Sequence, residues 1–555
     1  MKRPGILTYR IENSLLAIML TVAILPFWMV HYLPTTDGAA HLANADIVLH
    51  WIRGDAAVYR PYYMLNPLPV PNWLGHFVLA LLMLVVRPII AEKLFMSGYL
   101  ILLPLSVRYA VRGVRKSAGF LALLAVPLSL NWITHQGFYN FSASVVVFFF
   151  ALGYWLRGRE RMNLRRMLVL ALFGLLLYAG HLISVVIFAL TIFILACWFT
   201  VIRWSNVRKE TPHIHAGLRG HLVRDFYSRG ILSGFALLPA VALAYWFQHH
   251  GFEGNPHGMK LAIHDLPYWK ELLKLGFLIS FRAHWEKWLA RFTAILLAGT
   301  LFYVLSNKLR QQKWGMRDGL ILIPIALVGL YFLQGNDAQR ELFIPQRLVY
   351  YICLTFLLFL AGQRFGQWAR TSLICGAMLL TVGFTAVHVG PMRAYDQQIA
   401  DYVEAGDHTP RGQTLLPLIY SPRGTPLIAD WQGLRITPFF SVDQYIAIDR
   451  DIIDLRNYEA MLDYFPVRFL PQFNPRNHLS PDKLGLMDVP QRVDIAHYQK
   501  VGGRVDNVLI WGLSAFPQNK LDLGSLQTLE YIHTHYELSY RSPSGRAELW
   551  HWKGT

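Results

Sequence analysis

Apolar runs near or above the length that crosses a hydrocarbon core recur along this chain from Leu15 to Val389, and after Pro391 they stop. With 54% hydrophobic and only 15% charged residues over 555 positions, so much apolar surface cannot be clothed in water, and most of the chain needs lipid around it. Pro391 therefore marks a boundary between a transmembrane domain, 1–390, and a more polar domain, 391–555. The first run, from about Asn13 to Leu33, follows Lys2, Arg3 and Arg10. It is too long for the apolar stretch of a signal peptide and lacks a small-x-small cleavage site, so it is expected to stay as an anchor.

A formal net charge of +18 suggests a nucleic-acid partner, but the basic residues sit between the apolar runs, as the positive-inside rule requires. They cluster at the N-terminus and over Arg108 to Lys116, Arg157 to Arg166, Arg203 to Arg229, Lys308 to Arg317 and Arg364 to Arg370. Placing all of these in the cytoplasm and making every span alternate gives about eleven crossings. They run over 13–33, 92–108, 118–133, 138–156, 167–180, 182–202, 230–247, 291–306, 319–334, 345–361 and 371–390. The N-terminus is then inside and the C-terminal domain outside an inner or plasma membrane. One apolar segment, Trp73 to Ile90, is left over; a crossing there would place Arg108 to Lys116 outside, so it reads as an interfacial or re-entrant helix. The expected fold is mainly α: a polytopic transmembrane bundle with juxtamembrane helices on its outer face and a C-terminal soluble α/β domain.

The three cysteines, Cys197, Cys353 and Cys375, all lie in apolar runs and offer neither a disulfide framework nor a thiolate metal site. The chemistry is expected in the outer segments, Pro34 to Glu92, Gln248 to Ala290 and Gly335 to Ile344, which hold Asp37, Asp46, Asp55, Asp265 and Asp337. After span one the chain reads Pro34-Thr35-Thr36-Asp37-Gly38-Ala39-Ala40-His41, and the Ala-rich stretch predicts a juxtamembrane helix capped by Thr36 or Asp37. Asp37 and His41 share one face of that helix; Asp46 and His50 form a second pair. A carboxylate there is expected to be held ionised by the helix dipole and to accept a proton from an incoming hydroxyl. The alternative is that Asp37 is an N-cap and no more.

A carboxylate just after the first span, a long outer segment, many further spans and an outer C-terminal domain together resemble the GT-C superfamily of membrane glycosyltransferases. The resemblance implies that Asp37 is the catalytic acidic residue. It implies a single displacement in which a polyprenyl-phosphate sugar gives its sugar to a hydroxyl on a glycolipid, glycan or protein acceptor. Many members carry a pair of carboxylates at this position, whereas Gly38 follows Asp37, which departs from the metal-dependent oligosaccharyltransferase pattern. No cofactor or metal ligand is assigned, and a divalent metal is left open. Arg340 and Arg347, with Asp337 beside them, stand at the outer entrance of a span where a guanidinium suits a lipid-linked phosphate, with interfacial snorkelling as the alternative. His41 and His181, the latter in the turn Tyr178-Ala179-Gly180-His181, complete the expected substrate-binding set; a histidine satisfied by a nearby carbonyl is the other reading of His181.

Between Gln248 and Ala290 stand His249, His250, His257, His264 and His284 without the spacing of a zinc motif, interleaved with Trp269, Trp285 and Trp288 as interfacial anchors. His135 reads either as a cavity residue or as a solvated loop histidine. In the C-terminal domain, Thr414 to Tyr420, Val508 to Trp511 and a terminal hairpin from Glu537 to Trp552 are expected strands, and Asp443, Asp449, Asp451 and Asp454 read as solvated surface. Two further readings compete with a transferase: a transporter or flippase of lipid-linked glycans, and a surface-polysaccharide polymerase or ligase. Internal repeats and charges buried mid-span, the marks of a transporter, are not evident.

Overall fold

The computed structural model describes residues 6–210, 226–250, 266–281, 284–311, 315–333, 343–424, 435–480 and 486–554. Among these, eight helices are long and apolar enough to cross a membrane, which makes the chain a multi-pass membrane protein. They include α1 (Ile6–Trp28), the helix over Tyr139–Gly158, and the two last ones over Ile344–Gly362 and Gln367–Val403. The other three expected crossings fall on shorter pieces: Lys116–Ser129, Leu164–Gly180, and a 3₁₀ turn over Met316–Ile321 followed by a helix over Leu322–Phe332. By length, eight of the expected crossings are met among the described residues, and a count of about eleven is not confirmed.

The leftover apolar segment becomes α3 (Leu74–Met83), after α2 (Gly38–Arg53) and before α4 (Pro88–Val114). Ten residues of helix rise about 15 Å, half of what a crossing needs. Pro88 opens α4, where a missing N–H is harmless, so the break at Arg87 is built into the sequence.

The segments read as cytoplasmic meet on one face. Arg108 bonds Asn13, Arg115 bonds the carbonyls of Gly362 and Gln363, Arg370 pairs with Glu12, and Lys308 pairs with Asp318. At the opposite end of α1, the His31 and Tyr32 N–H groups donate to the Asp396 carboxylate at 2.9 and 2.7 Å. The helix carrying Asp396 continues through Pro391 to Val403, and a sheet follows.

β1 (Tyr63–Leu65) pairs antiparallel with β4 (Val467–Phe469). The main sheet has β2 (Thr414–Ile419) between β3 (Ile453–Asp454) and β5 (Asn507–Trp511), both parallel to it. The expected terminal hairpin, β6 (Tyr536–Arg541) and β7 (Ala547–Trp552), adds antiparallel strands through β7 against β5. β2 and β5 are buried at every position, which accounts for the apolar runs that follow Thr414 and Asn507. The β1–β4 ribbon ties the segment between α2 and α3 to this region, and that tie builds the site.

Candidate active site

Asp37 is held by its backbone rather than by its side chain. Its N–H donates to the Gln136 carbonyl at 2.8 Å, and that of Thr36 to the His135 carbonyl at 3.3 Å. Asp37 occupies the N-cap position of α2, yet its carboxyl makes no capping bond. Thr35 accepts from the Gly38 N–H at 3.1 Å instead, and the Thr36 hydroxyl accepts from the Thr437 N–H at 3.0 Å. Neither residue expected to cap does so, and the Asp37 carboxyl is left for other work.

Gly38 is explained by the same crossing. A Cβ there would lie 2.3 Å from Thr35 Oγ1, 2.5 Å from the Tyr139 hydroxyl and 2.7 Å from Glu92 Oε1. Opposite it, Gly137 has φ +77°, and a Cβ on it would come within 2.4 Å of the Gly38 nitrogen. A second carboxylate directly after Asp37 has no room.

The electrostatics correct one expectation. Enclosure by protein, and then the charge of Glu459, push the Asp37 carboxyl up to about 8, although a hydrogen bond from Tyr458 and the nearby Arg347 pull the other way. Desolvation outweighs the helix terminus, so Asp37 sits near neutrality between acid and base rather than firmly ionised. That is the range in which a carboxyl exchanges protons with a substrate hydroxyl.

Arg347 enters from the first turn of the helix over Ile344–Gly362 and is buried. Its guanidinium lies over the rings of Phe138 and Phe141, 4.5 and 5.2 Å from their centroids, and Nη1 donates to His181 Nε2 at 2.7 Å. It therefore faces the interior beside Asp37 instead of snorkelling, and His181 takes its partner from arginine rather than from a carbonyl. Nε of Arg347 is buried without a hydrogen-bond partner. Asp337 and Arg340 lie outside the described residues.

His41, one turn beyond Asp37, is engaged with two residues that the sequence reading missed. Its Nδ1 stands 2.7 Å from Glu459 Oε1 and 3.2 Å from His76 Nε2, and His76 Nε2 is 2.8 Å from Glu459 Oε2. Burial lowers the His41 imidazole, and the Glu459 carboxyl, although buried, is held below the usual carboxylate range by its contacts with the two imidazoles. Asn44 Nδ2 donates to Glu459 Oε2 at 3.1 Å and to Asn457 Oδ1 at 3.0 Å, joining α2 to the short helix over Tyr458–Met461. Two imidazoles and a carboxylate form a donor set that fits a divalent metal. A lone polar residue inside the apolar run 74–83 was the available sign for His76; nothing local marks Glu459.

Other candidates resolve into structure. His135 is buried, its Nε2 3.2 Å from His388 Nδ1, and His388 Nε2 lies 3.1 Å from Glu286 Oε1; it is not a solvated loop histidine. Glu286 in turn accepts from the Ser280 and Phe281 N–H groups at 2.7 and 3.1 Å. Asp443 and Asp454 are buried around Arg456 and Gln444, so half of the acidic stretch read as surface belongs to the core. Asp46 receives the Tyr59 hydroxyl and His50 bonds Asp55, away from Asp37. His257, His264 and Asp265 lie outside the described residues; Trp269, Trp285 and Trp288 are exposed, as anchors at a headgroup layer are.

Comparison with protein-family models and with curated proteins gives no match. Among solved structures, the chain is similar to the archaeal oligosaccharyltransferase AglB from Archaeoglobus fulgidus, in complex with an inhibitory peptide and a dolichol-phosphate. The likeness covers 98% of this chain and 74% of that one, at a TM-score of 0.47 and 11% identity. The oligosaccharyltransferase of the same organism in its apo form is similar over 90% of this chain and 69% of its own, with TM-score 0.44 and 12% identity. Function has to be read from the site itself.

Proposed function

We propose that this protein is a membrane glycosyltransferase that moves a sugar from a polyprenyl-phosphate donor to a hydroxyl of an envelope glycolipid, glycan or protein on the outer face of the membrane. The observation that carries this reading is the pairing of the uncapped carboxyl of Asp37 with a buried guanidinium, Arg347, at the boundary between the helical bundle and the C-terminal sheet region. Such a pair supplies what a single displacement needs. Asp37 takes the proton of the acceptor hydroxyl as its oxygen attacks the anomeric carbon. The bond from that carbon to the phosphate oxygen breaks, and the polyprenyl phosphate leaves with its electrons toward Arg347.

Tyr458 tunes the base through its hydrogen bond to Asp37, and His181 fixes the plane of the guanidinium. In this reading the basic face of the bundle is cytoplasmic, and α2 with the C-terminal region lies outside, where a hydrophilic acceptor arrives. The test is reconstitution in liposomes with a polyprenyl-phosphate sugar and an envelope extract as acceptor. Release of polyprenyl phosphate, coupled to labelled product, is expected. Movement of the intact lipid-linked sugar across the bilayer with no cleavage would show a flippase instead.

A further inference from the structure

We propose that His41 Nδ1, His76 Nε2 and the Glu459 carboxylate form a site for a divalent cation of the zinc class, which staples α2, α3 and the C-terminal region together beside Asp37. The site stands or falls independently of sugar transfer.

The proton count carries the case. His76 Nδ1 is 2.8 Å from the Asn72 carbonyl oxygen, which can only accept, and 3.2 Å from Asn140 Nδ2; the shorter contact assigns the hydrogen to Nδ1, so Nε2 of the neutral ring is a bare lone pair. This lone pair faces Glu459 Oε2 at 2.8 Å and His41 Nδ1 at 3.2 Å. Glu459 Oε2 already accepts from Asn44. Oε1, 2.7 Å from His41 Nδ1, is buried and lies off the line of a hydrogen bond, so it has no partner there. One proton on His41 therefore cannot satisfy the cluster, and an acceptor would face an acceptor across its centre. A cation at that centre removes the conflict.

The surroundings are those of a metal site. A ligating imidazole typically gives its other N–H to a backbone carbonyl, as His76 does to Asn72, and a ligating carboxylate is itself hydrogen-bonded, as Glu459 is by Asn44. All three residues are buried, and their ligand atoms lie within 4.8 Å of one another. Metal bonds of about 2.0–2.1 Å in a tetrahedron separate ligands by roughly 3.3 Å, so the cluster opens by a few tenths of an ångström on loading. Three protein ligands leave a fourth position for an exchangeable oxygen. None of the three is a carboxylate of the first outer turn, and Glu459 comes from the far end of the chain.

The competing arrangement is metal-free: a doubly protonated His76 paired with Glu459. The experiment uses the full chain in detergent, stripped with chelator and titrated with Zn²⁺ or Co²⁺. One zinc bound per chain by elemental analysis, and visible absorption bands of tetrahedral Co²⁺, are expected. Glu459→Gln and His76→Gln should each weaken zinc binding at least tenfold, while His50→Gln on the same helix leaves it unchanged. A folded wild-type chain that takes up no stoichiometric zinc, or a Glu459→Gln variant that binds it equally well, overturns the proposal. Should the variants fail to fold, the wild-type cobalt spectrum decides: tetrahedral bands support the site and their absence overturns it.

Discussion

Arg347 Nη1 lies 2.7 Å from His181 Nε2, so two residues that are 166 positions apart in the chain form one buried unit beside Asp37. The imidazole fixes the guanidinium, and the rings of Phe138 and Phe141 cover its face. A fixed guanidinium can meet a phosphate with parallel hydrogen bonds, which a lysine cannot. Arg347→Ala is predicted to lower kcat by about 10²–10³-fold, the usual effect of removing one donor from a developing anion. Arg347→Lys should recover only part of it. His181→Ala should act mainly through the donor KM, because the charge remains while its aim is lost; steady-state kinetics with varied lipid donor check all three.

The displaced titration of Asp37 predicts a stability change of definite sign. Its ordinary value is 3.8 and its folded value about 8, so between these the folded chain holds a proton that the unfolded chain has released. The wild type is then most stable, relative to Asp37→Asn, below about pH 4; it loses ground as the pH rises and reaches the full penalty above about pH 8. At pH 9, in chelator, Asp37→Asn should melt several degrees higher than wild type, and the gap should close toward pH 4. Thermal unfolding across this range measures it.

Tyr458 pulls the Asp37 carboxyl downward by hydrogen bonding. Tyr458→Phe should therefore raise the pH at which the base ionises and shift the acid limb of the rate profile to higher pH. Loss of activity at pH 7 with partial recovery at pH 9 is expected from profiles of the two proteins measured in the same buffers.

The crossing of Gly38 over Gly137 leaves no space for a side chain. Gly38→Ala should destabilise the fold by about 1–3 kcal/mol through overpacking, and Gly137→Ala by more, since its positive φ adds strain. Both should also reduce transfer, because the same backbone carries Asp37. Melting temperature and activity measured on the same preparations test the link.

The sequence made legible what repeats or alternates. Apolar runs marked the bundle, the polarity of Glu537 to Trp552 marked the hairpin, and charge placement grouped Arg108, Arg115, Lys308 and Arg370 on one face. Asp37 and Arg347 stood out in the sequence only by position at the ends of spans, and the fold brings the two near each other. What was hidden depends on long-range contact. Glu459 becomes a partner of His41 only when the β1–β4 ribbon brings the C-terminal region onto α2, and Thr35 displaces Asp37 as cap because of the crossing at Gly137. Crossing length was also hidden, since Lys116–Leu124 winds as 3₁₀ helix although its composition suits an ordinary span.

In the proposed reaction the Asp37 carboxyl is the base for transfer from a lipid-linked phosphate donor. The most direct measurement is the rate of sugar transfer by Asp37→Asn in liposomes, with insertion and melting confirmed against wild type. The expected result is a stable, correctly inserted protein whose transfer falls by at least about 10²-fold, in line with loss of a general base. Transfer at the wild-type rate by that variant would contradict it.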